Sequence, residues 1–349
     1  MTPPARPTLD TGGLSERVLA AVRREDSSAS IADLRPIHGG ESSLTYSVSI
    51  VGAVHPRGRR AVLKIAPPGL PPTKNRDVLR QARLLRKLND SAAVRVPEVL
   101  FEDPGHGPEH PPFFGMSYVE GECFEPVGDP LADGQALPGP EDVRARMLDC
   151  ARQLGSLHAV NPSDVGLTDE PVTTLPTEIE RWARVIARVD EDLTEGWERV
   201  HDRLRATAPS EIGPVIVHGD FRLGNAVVAN GRVQAVFDFE IWSLGDPRID
   251  LSWFLTHTSS ARLPSAEREL DGVPTEEELI REYVSAGGAG PADLAWFHAF
   301  TQFKGAAITG QIVKHNRRSG EPSPRVVRWD PHVPRQWLTN ARMLLASLR

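Results

Sequence analysis

Forty residues, Val215 to Phe254, constrain this chain more than any other stretch: VIVHGDFRLGNAVVANGRVQAVFDFEIWSLGDPRIDLSWF. Val215-Ile216-Val217 reads as a short buried strand that runs into His218-Gly219-Asp220. Ala226-Val227-Val228 and Val233 to Phe237 are strand-like runs on either side of Asn230-Gly231, the dipeptide that most favours a tight hairpin because both positions tolerate positive φ. With that turn, Asn225 is registered against Val236, and Asp238 lies one diagonal step further. Residues two apart on a strand share a face, so Asn225 and Asp238 point the same way. Diagonal neighbours across a hairpin are roughly 7–8 Å apart at the backbone and closer at the side-chain tips. Such a pair can hold a single Mg²⁺ or a close pair of ions.

Phosphoryl transfer asks little covalent chemistry of a protein. It needs a positioned hydroxyl, shielded phosphate charge and metal-bridged oxygens. In this spacing Asp220 is the candidate to accept or orient the acceptor hydroxyl, Asn225 supplies a neutral oxygen ligand, and Asp238 supplies a carboxylate. Hard oxygen ligands together with substrate phosphates make the usual Mg²⁺ site. Each of the three alone reads as a turn or capping residue; their joint spacing around a hairpin points to Mg·ATP chemistry.

Composition agrees with an enzyme. A chain of 349 residues exceeds the usual single-domain range, so two lobes are expected. Hydrophobic content of 40% with 25% charged residues is ordinary for a soluble globular protein. Cys123 and Cys150 are too few for a disulfide framework or a zinc site, which suggests a reducing compartment. The opening MTPPARPTLDTGGL lacks the apolar centre of a signal peptide, and no run approaches the ~20 apolar residues of a membrane span, so a cytoplasmic protein is expected. Residues 1–121 carry a net +3 and residues 122–349 a net −10, which gives no case for nucleic-acid binding. From Lys304 onward, however, nine basic residues face only Glu321 and Asp330, either as a solvated face or as a basic wall for an anionic substrate.

In the first part of the chain, Ile37 to Val48 reads as strand, glycine turn and second strand, with alternation at Leu44, Tyr46 and Val48. Glycines at Gly39-Gly40 allow backbone N–H groups to approach phosphates. Lys64 is a lone charge in the apolar strand Ala61-Val62-Leu63-Lys64-Ile65, either an edge lysine facing water or a phosphate ligand. Helical stripes follow at Val78, Ala82, Leu85 and Leu88, at Val143, Met147, Ala151, Leu154 and Leu157, and at Ile179, Trp182, Ile186 and Val189. His158 ends the second stripe as a packed or capping residue, and Trp182 belongs to the core. Asp246-Pro247 has the form of an N-cap followed by proline, with Asp250 in the first turn, where a carboxylate suits the helix dipole. Glu276-Glu277-Glu278 reads as the start of a surface helix.

HGDFRLGN followed by DFE and GDPRIDL resembles the aminoglycoside and choline phosphotransferase superfamily, the small-molecule branch of the protein-kinase-like fold. The likeness extends from about Ile37 to the last helix. It implies an α+β, protein-kinase-like two-lobe fold, with a small β-rich N-terminal lobe over 1–119 and a larger, mainly helical C-terminal lobe over 120–349. The first 25 or so residues are expected to be flexible. ATP and Mg²⁺ are the implied cofactors. Asp220 would be catalytic, with Asn225 and Asp238 as metal ligands. Lys64 would pair with the α- and β-phosphates, and Gly39, Gly40, Ser42 and Ser43 would form the phosphate turn. Met116 would back the adenine, while the main chain of Ser117 and Val119 reads its edge. His218, Arg222 and Asp250 would support the catalytic loop, Arg222 by steadying it or by meeting substrate charge.

Gln81 departs from the pattern, because a Glu usually holds the strand lysine from this helix. Glutamine can accept a hydrogen bond from Lys64 but cannot neutralise it; Asp77, one turn earlier, is the candidate substitute. No protein-kinase activation segment lies between Asp238 and Asp250, so the acceptor is expected to be a small-molecule alcohol. GGESSLTYSV, LHAVNPSDVGL and EIERWARV look most like the phosphotransferases associated with acyl-CoA dehydrogenases, which implies a hydroxyacyl-CoA or related hydroxy acid. The alternatives are an antibiotic O-phosphotransferase and a nucleotide-binding pseudoenzyme. Oligomeric state is not legible.

Overall fold

A computed structural model describes residues 10–37, 43–52, 58–91, 93–131 and 135–348. Gly39, Gly40 and Ser42 of the expected phosphate turn therefore lie outside the described residues. The chain divides into two compact units, 1–121 with 234–241, and 122–233 with 242–349.

The first unit begins with helix α1 (Thr11–Glu25), where flexible chain was expected. Asp10 caps it by accepting from the N–H groups of Gly12 and Gly13. Leu14, Val18, Ala21 and Val22 then form a stripe buried with Val48, Ala61 and Leu63 of the sheet. Thr-Gly-Gly has poor helix propensity, and burial of that stripe overrides it. Five antiparallel strands follow: β1 (Ser30–Pro36), β2 (Leu44–Val51), β3 (Arg59–Ile65), β4 (Val99–Asp103) and β5 (Phe113–Ser117), in the order β1-β2-β3-β5-β4. Lys64 stands opposite Thr45 on one side and Phe114 on the other, so it sits on the central strand and not at an edge. Helix α2 (Val78–Ser91) buries Val78, Ala82, Leu85 and Leu88, the expected stripe, together with Gln81.

The second unit holds helices α3 (Pro140–Ala159), α4 (Leu175–Ile186), α5 (Glu191–Thr194) and α6 (Trp197–Ala206). Next come strand β6 (Val215–Val217), a 3-10 turn at Leu223–Asn225 and the hairpin β7 (Ala226–Ala229) and β8 (Arg232–Val236). Strand β9 (Ser243–Gly245) pairs with β6. Helices α7 (Arg248–His257), α8 (Glu276–Ser285), α9 (Leu294–Arg317), α10 (Pro324–Trp329) and α11 (His332–Ser347) complete it. Asn230 (φ 51°) and Gly231 (φ 67°) both take the left-handed conformation, as an Asn-Gly hairpin turn requires. Helix α8 opens with a capping box in which Thr275 and Glu278 satisfy each other's backbone N–H groups. Helix α9 is buried along most of its length, from Leu294 to Val313, and is the helix on which α4, α7 and α11 pack.

Helices α3 and α8 approach closely at Gly155. A Cβ added there would lie 2.2 Å from the carbonyl oxygen of Tyr283, a backbone atom that cannot rotate away. Gly155→Ala is expected to force the helices apart and cost about 1–3 kcal/mol. The measurement is the urea midpoint, which should fall with an unchanged m-value.

Candidate active site

The loop after β6 in the second unit is built around one carboxylate. Asp250, in the first turn of α7 and fully buried, accepts from the backbone N–H of His218 (2.5 Å) and of Gly219 (2.8 Å). His158 at the end of α3 approaches the same Oδ2 through Nε2 at 3.3 Å, while its Nδ1 meets the Tyr283 hydroxyl at 2.8 Å. Burial pushes the Asp250 carboxyl up, but His158, His218 and the N–H donors outweigh it and hold it below its ordinary range. Asp250 and His158, expected as a supporting and a packed residue, are thus both buried and bonded to each other. The α7 start differs by one position from the expected cap: Pro247 occupies the N-cap, and Asp246 reaches past it to Arg248 N–H and to the Arg248 guanidinium at 2.7 Å.

Asp220 follows from this anchor. Gly219 adopts φ +87°, and the next N–H, that of Asp220, donates to His218 Nδ1 at 3.2 Å. The Asp220 carboxylate then receives Trp253 Nε1–H on Oδ1 at 2.8 Å and Asn225 Nδ2–H on Oδ2 at 2.8 Å. Arg222 Nε lies 3.4 Å from Oδ2, and the Asp220 side chain keeps 30% of its exposure. Burial raises its pKa, but the charges of Arg222 and Lys304 more than offset this, leaving Asp220 below the ordinary value and ionised near neutrality. Asn225 directs its amide nitrogen at Asp220, which turns its side-chain oxygen elsewhere and leaves it able to serve as a ligand. Structure thus gathers Asp220, Asn225, His218, Arg222 and Asp250 in one cluster.

Four residues of this cluster escaped the sequence reading. Trp253 was given no role from sequence, yet its indole N–H is a donor to Asp220. Glu125 is buried; its Oε2 accepts from Gly224 N–H at 3.1 Å and faces Arg222 at 3.3 Å. Burial drives the Glu125 pKa up to about 7 against the pull of Arg222. His257 is pushed down to about 4 by burial and by Arg222, so it stays neutral. Lys304 read as the first residue of a basic tail, but it is only 2% exposed and donates to the carbonyl of Gly219.

The remaining basic run does not form one wall either. Arg317 pairs with Asp192 (2.7 Å) and Asp330, Lys314 with Asp190, and Arg325 and Arg328 with Glu267. Arg335 and Arg342 join Arg199 and Arg203 along a groove of about 860 Å³ between α6 and α11, and neither Asp220 nor Asn225 lines it. Of the two readings of this run, a single basic wall is not the one observed: Lys314, Arg317, Arg318, Arg325 and Arg328 each have an acidic partner.

In the first unit, Lys64 is 6% exposed and pairs with Asp238 Oδ1 at 3.0 Å. Asp238 adopts φ +67°, a conformation Asp tolerates better than most residues. The carboxylate that neutralises this lysine therefore comes from DFE. Gln81 is buried in α2, with its amide nitrogen lacking a partner among the described residues. Asp77 does not substitute: it accepts from Arg80 N–H and lies 3.7 Å from Arg83. Ser43 is buried, and its hydroxyl has no partner among the described residues. Met116 is 7% exposed at the end of β5. Ser117 N–H donates to the carbonyl of Glu98 at 2.8 Å. Val119 lies half-buried just past the strand.

Among the described residues no group of three or more His, Cys, Asp or Glu could hold a metal by itself.

The model of the phosphotransferase enzyme family matches residues 33–297. Acyl-CoA dehydrogenase family member 10 of Mus musculus is 28% identical over 293 residues, covering 79% of this chain and 26% of that protein. The chain spans about a quarter to a third of the length of the curated relatives it matches. A Ralstonia eutropha protein provisionally assigned as an aminoglycoside phosphotransferase superposes with a TM-score of 0.71 at 21% identity, over 97% of this chain and 98% of the other. Aminoglycoside phosphotransferase APH(4)-Ia, in complex with ADP and hygromycin B, gives a TM-score of 0.55 at 16% identity, over 94% and 97%. These likenesses establish the two-lobe kinase-like fold.

Asp250→Asn should cost about 3–5 kcal/mol, because an amide cannot serve all of the buried donors that the carboxylate accepts. With its folded pKa below the unfolded value, Asp250 contributes stability above that unfolded value and loses it as pH falls through the folded one. The gap between wild type and variant in denaturant titrations should therefore be widest near neutrality and close in acid.

Proposed function

Since the chain belongs to the phosphotransferase enzyme family, we propose that it is a Mg·ATP-dependent phosphotransferase acting on the hydroxyl of a small molecule, a hydroxyacyl-CoA or related hydroxy acid. The observation that carries this reading is Asp220, a carboxylate fixed by Trp253 and Asn225, held ionised, and still partly open to solvent. A group so placed accepts a hydrogen bond from an alcohol and aligns its oxygen for attack on the γ-phosphorus. Its low basicity suits orientation of the hydroxyl more than storage of its proton.

Lys64 is assigned to the nucleotide phosphates, as a point charge on a stiff central strand. Asn225 and Asp238 are assigned as the Mg²⁺ ligands. When bound, Mg²⁺ neutralises phosphate oxygens and so stabilises charge in the transition state. Asp238 also pairs with Lys64, and in this reading its carboxylate serves both the lysine and the metal charge.

The acceptor class rests on two supports. Curated relatives bear the name of acyl-CoA dehydrogenase family members. Beside Asp220, moreover, stands the Arg222 guanidinium, 30% exposed, which suits a neutral or anionic acceptor better than a polycation. An antibiotic acceptor is the second reading, carried by the likeness to aminoglycoside and macrolide phosphotransferases. A cytoplasmic place is part of the same proposal, supported by two free cysteines.

ADP release under Mg·ATP, with a 4-hydroxyacyl-CoA, the free hydroxy acid, choline and kanamycin as acceptors, tests the reading. Selective turnover of the CoA ester is expected; turnover of kanamycin alone would transfer the assignment to the antibiotic class. Asp220→Asn should reduce turnover by about 10²–10⁴-fold and leave nucleotide affinity intact. Asp238→Ala should abolish Mg²⁺-dependent nucleotide binding in calorimetry; retention of that binding would remove Asp238 from the metal site.

A further inference from the structure

Lys304 is a buried cation, 2% exposed, held by a backbone carbonyl and aromatic faces, a costly arrangement that calls for a reason. Its Nζ donates to the carbonyl of Gly219. It also stands 4.0 Å from the ring centroid of Trp253 and 5.3 Å from that of Trp182. Both distances are within the range in which an aromatic face attracts a cation, and the attraction is strongest when the cation is desolvated. Trp182 is itself fixed by Nε1–H donation to Glu178 at 3.1 Å.

We propose that Lys304 is a positioning residue for Asp220, acting on it through the Gly219 carbonyl and through the indole of Trp253. The inference rests on the phosphotransferase reading above and assigns a role to a residue that does not touch substrate. Two peptide planes lead into Asp220. The first is fixed by Gly219 N–H on Asp250 at 2.8 Å. The second is fixed at one end by Asp220 N–H on His218 Nδ1 at 3.2 Å and at the other by Lys304 on the Gly219 carbonyl. Gly219, at φ +87°, has no Cβ to restrict it, so without the lysine the second plane is held only through its N–H. The indole whose face Lys304 contacts also presents its N–H to Asp220 Oδ1. One cation thus restrains both the backbone that carries the carboxylate and the donor that orients it.

Lys304→Met keeps the length and apolar stem and removes the donor to the Gly219 carbonyl. Three readouts test it: the backbone ¹⁵N order parameters of Gly219 and Asp220, the separate values of kcat and KM for ATP, and the thermal midpoint. The expected result is lowered order parameters at both positions, and kcat lowered at least tenfold with KM for ATP unchanged. The thermal midpoint should be held or raised, because a buried charge has been replaced by a hydrophobic group. A merely structural lysine would instead lower the midpoint and leave the two order parameters where they were, and that result would overturn the proposal. So would kcat within twofold of wild type. Should Lys304→Met fail to fold, Lys304→Gln carries the test, because its amide ends one bond short of the lysine nitrogen; unchanged order parameters at Gly219 and Asp220 would count against the proposal. If wild type phosphorylates none of the four acceptors, the phosphotransferase reading fails, while the order parameters still decide on Lys304.

Discussion

Asp250 is the contact on which the geometry of the second unit depends. One buried carboxylate accepts from two successive backbone N–H groups and a histidine ring. Through them it joins the first turn of α7, the end of α3 and the loop after β6. A buried carboxylate left short of donors would cost several kcal/mol, so the three elements are obliged to meet at this point. The placement of Asp220 two residues beyond His218, of Asn225 beyond that, and of Trp253 one helical turn after Asp250 all follow from this junction.

Charge inside the molecule is arranged in a graded way. Asp250 and Asp220 are held ionised, Glu125 is lifted to about 7, and His257 is held neutral. Burial acts on all four, and what separates them is the identity of the neighbour: N–H donors and cations for the aspartates, a shared arginine for the glutamate, a nearby like charge for the histidine. Lys64 and Lys304 show the same logic with opposite outcomes. Both are buried lysines, one neutralised by Asp238, the other bound to a carbonyl and two aromatic faces.

Much of this was legible from residues close together in sequence. Asn230-Gly231 announced its turn because its two positive φ values are a local property, and the stripes of α2, α3 and α4 announced their helices through period alone. Partners brought together from afar were not legible. Helix α1 is hidden behind Thr-Gly-Gly and depends on a sheet not yet made when it is read. Lys304 lies 85 residues from the carbonyl it binds, and nothing in Phe-Lys-Gly distinguishes it from a solvated lysine. The identity of the acid opposite Lys64 was misplaced for the same reason: sequence pointed to the adjacent helix, whereas the carboxylate arrives from position 238.

That last contact has a bearing on how the molecule can be taken apart or recombined. The first unit is discontinuous, and residues 234–241, with Asp238 among them, complete it. A fragment cut after residue 121 would retain Lys64 on its central strand and lose the carboxylate that neutralises it. Exchange of the N-terminal portion between relatives by a single crossover would likewise pair the lysine of one parent with the aspartate of the other. The unit of inheritance is therefore the strand lysine together with a distant octapeptide, and a chimera that respects this grouping needs two junctions more than the order of the chain suggests.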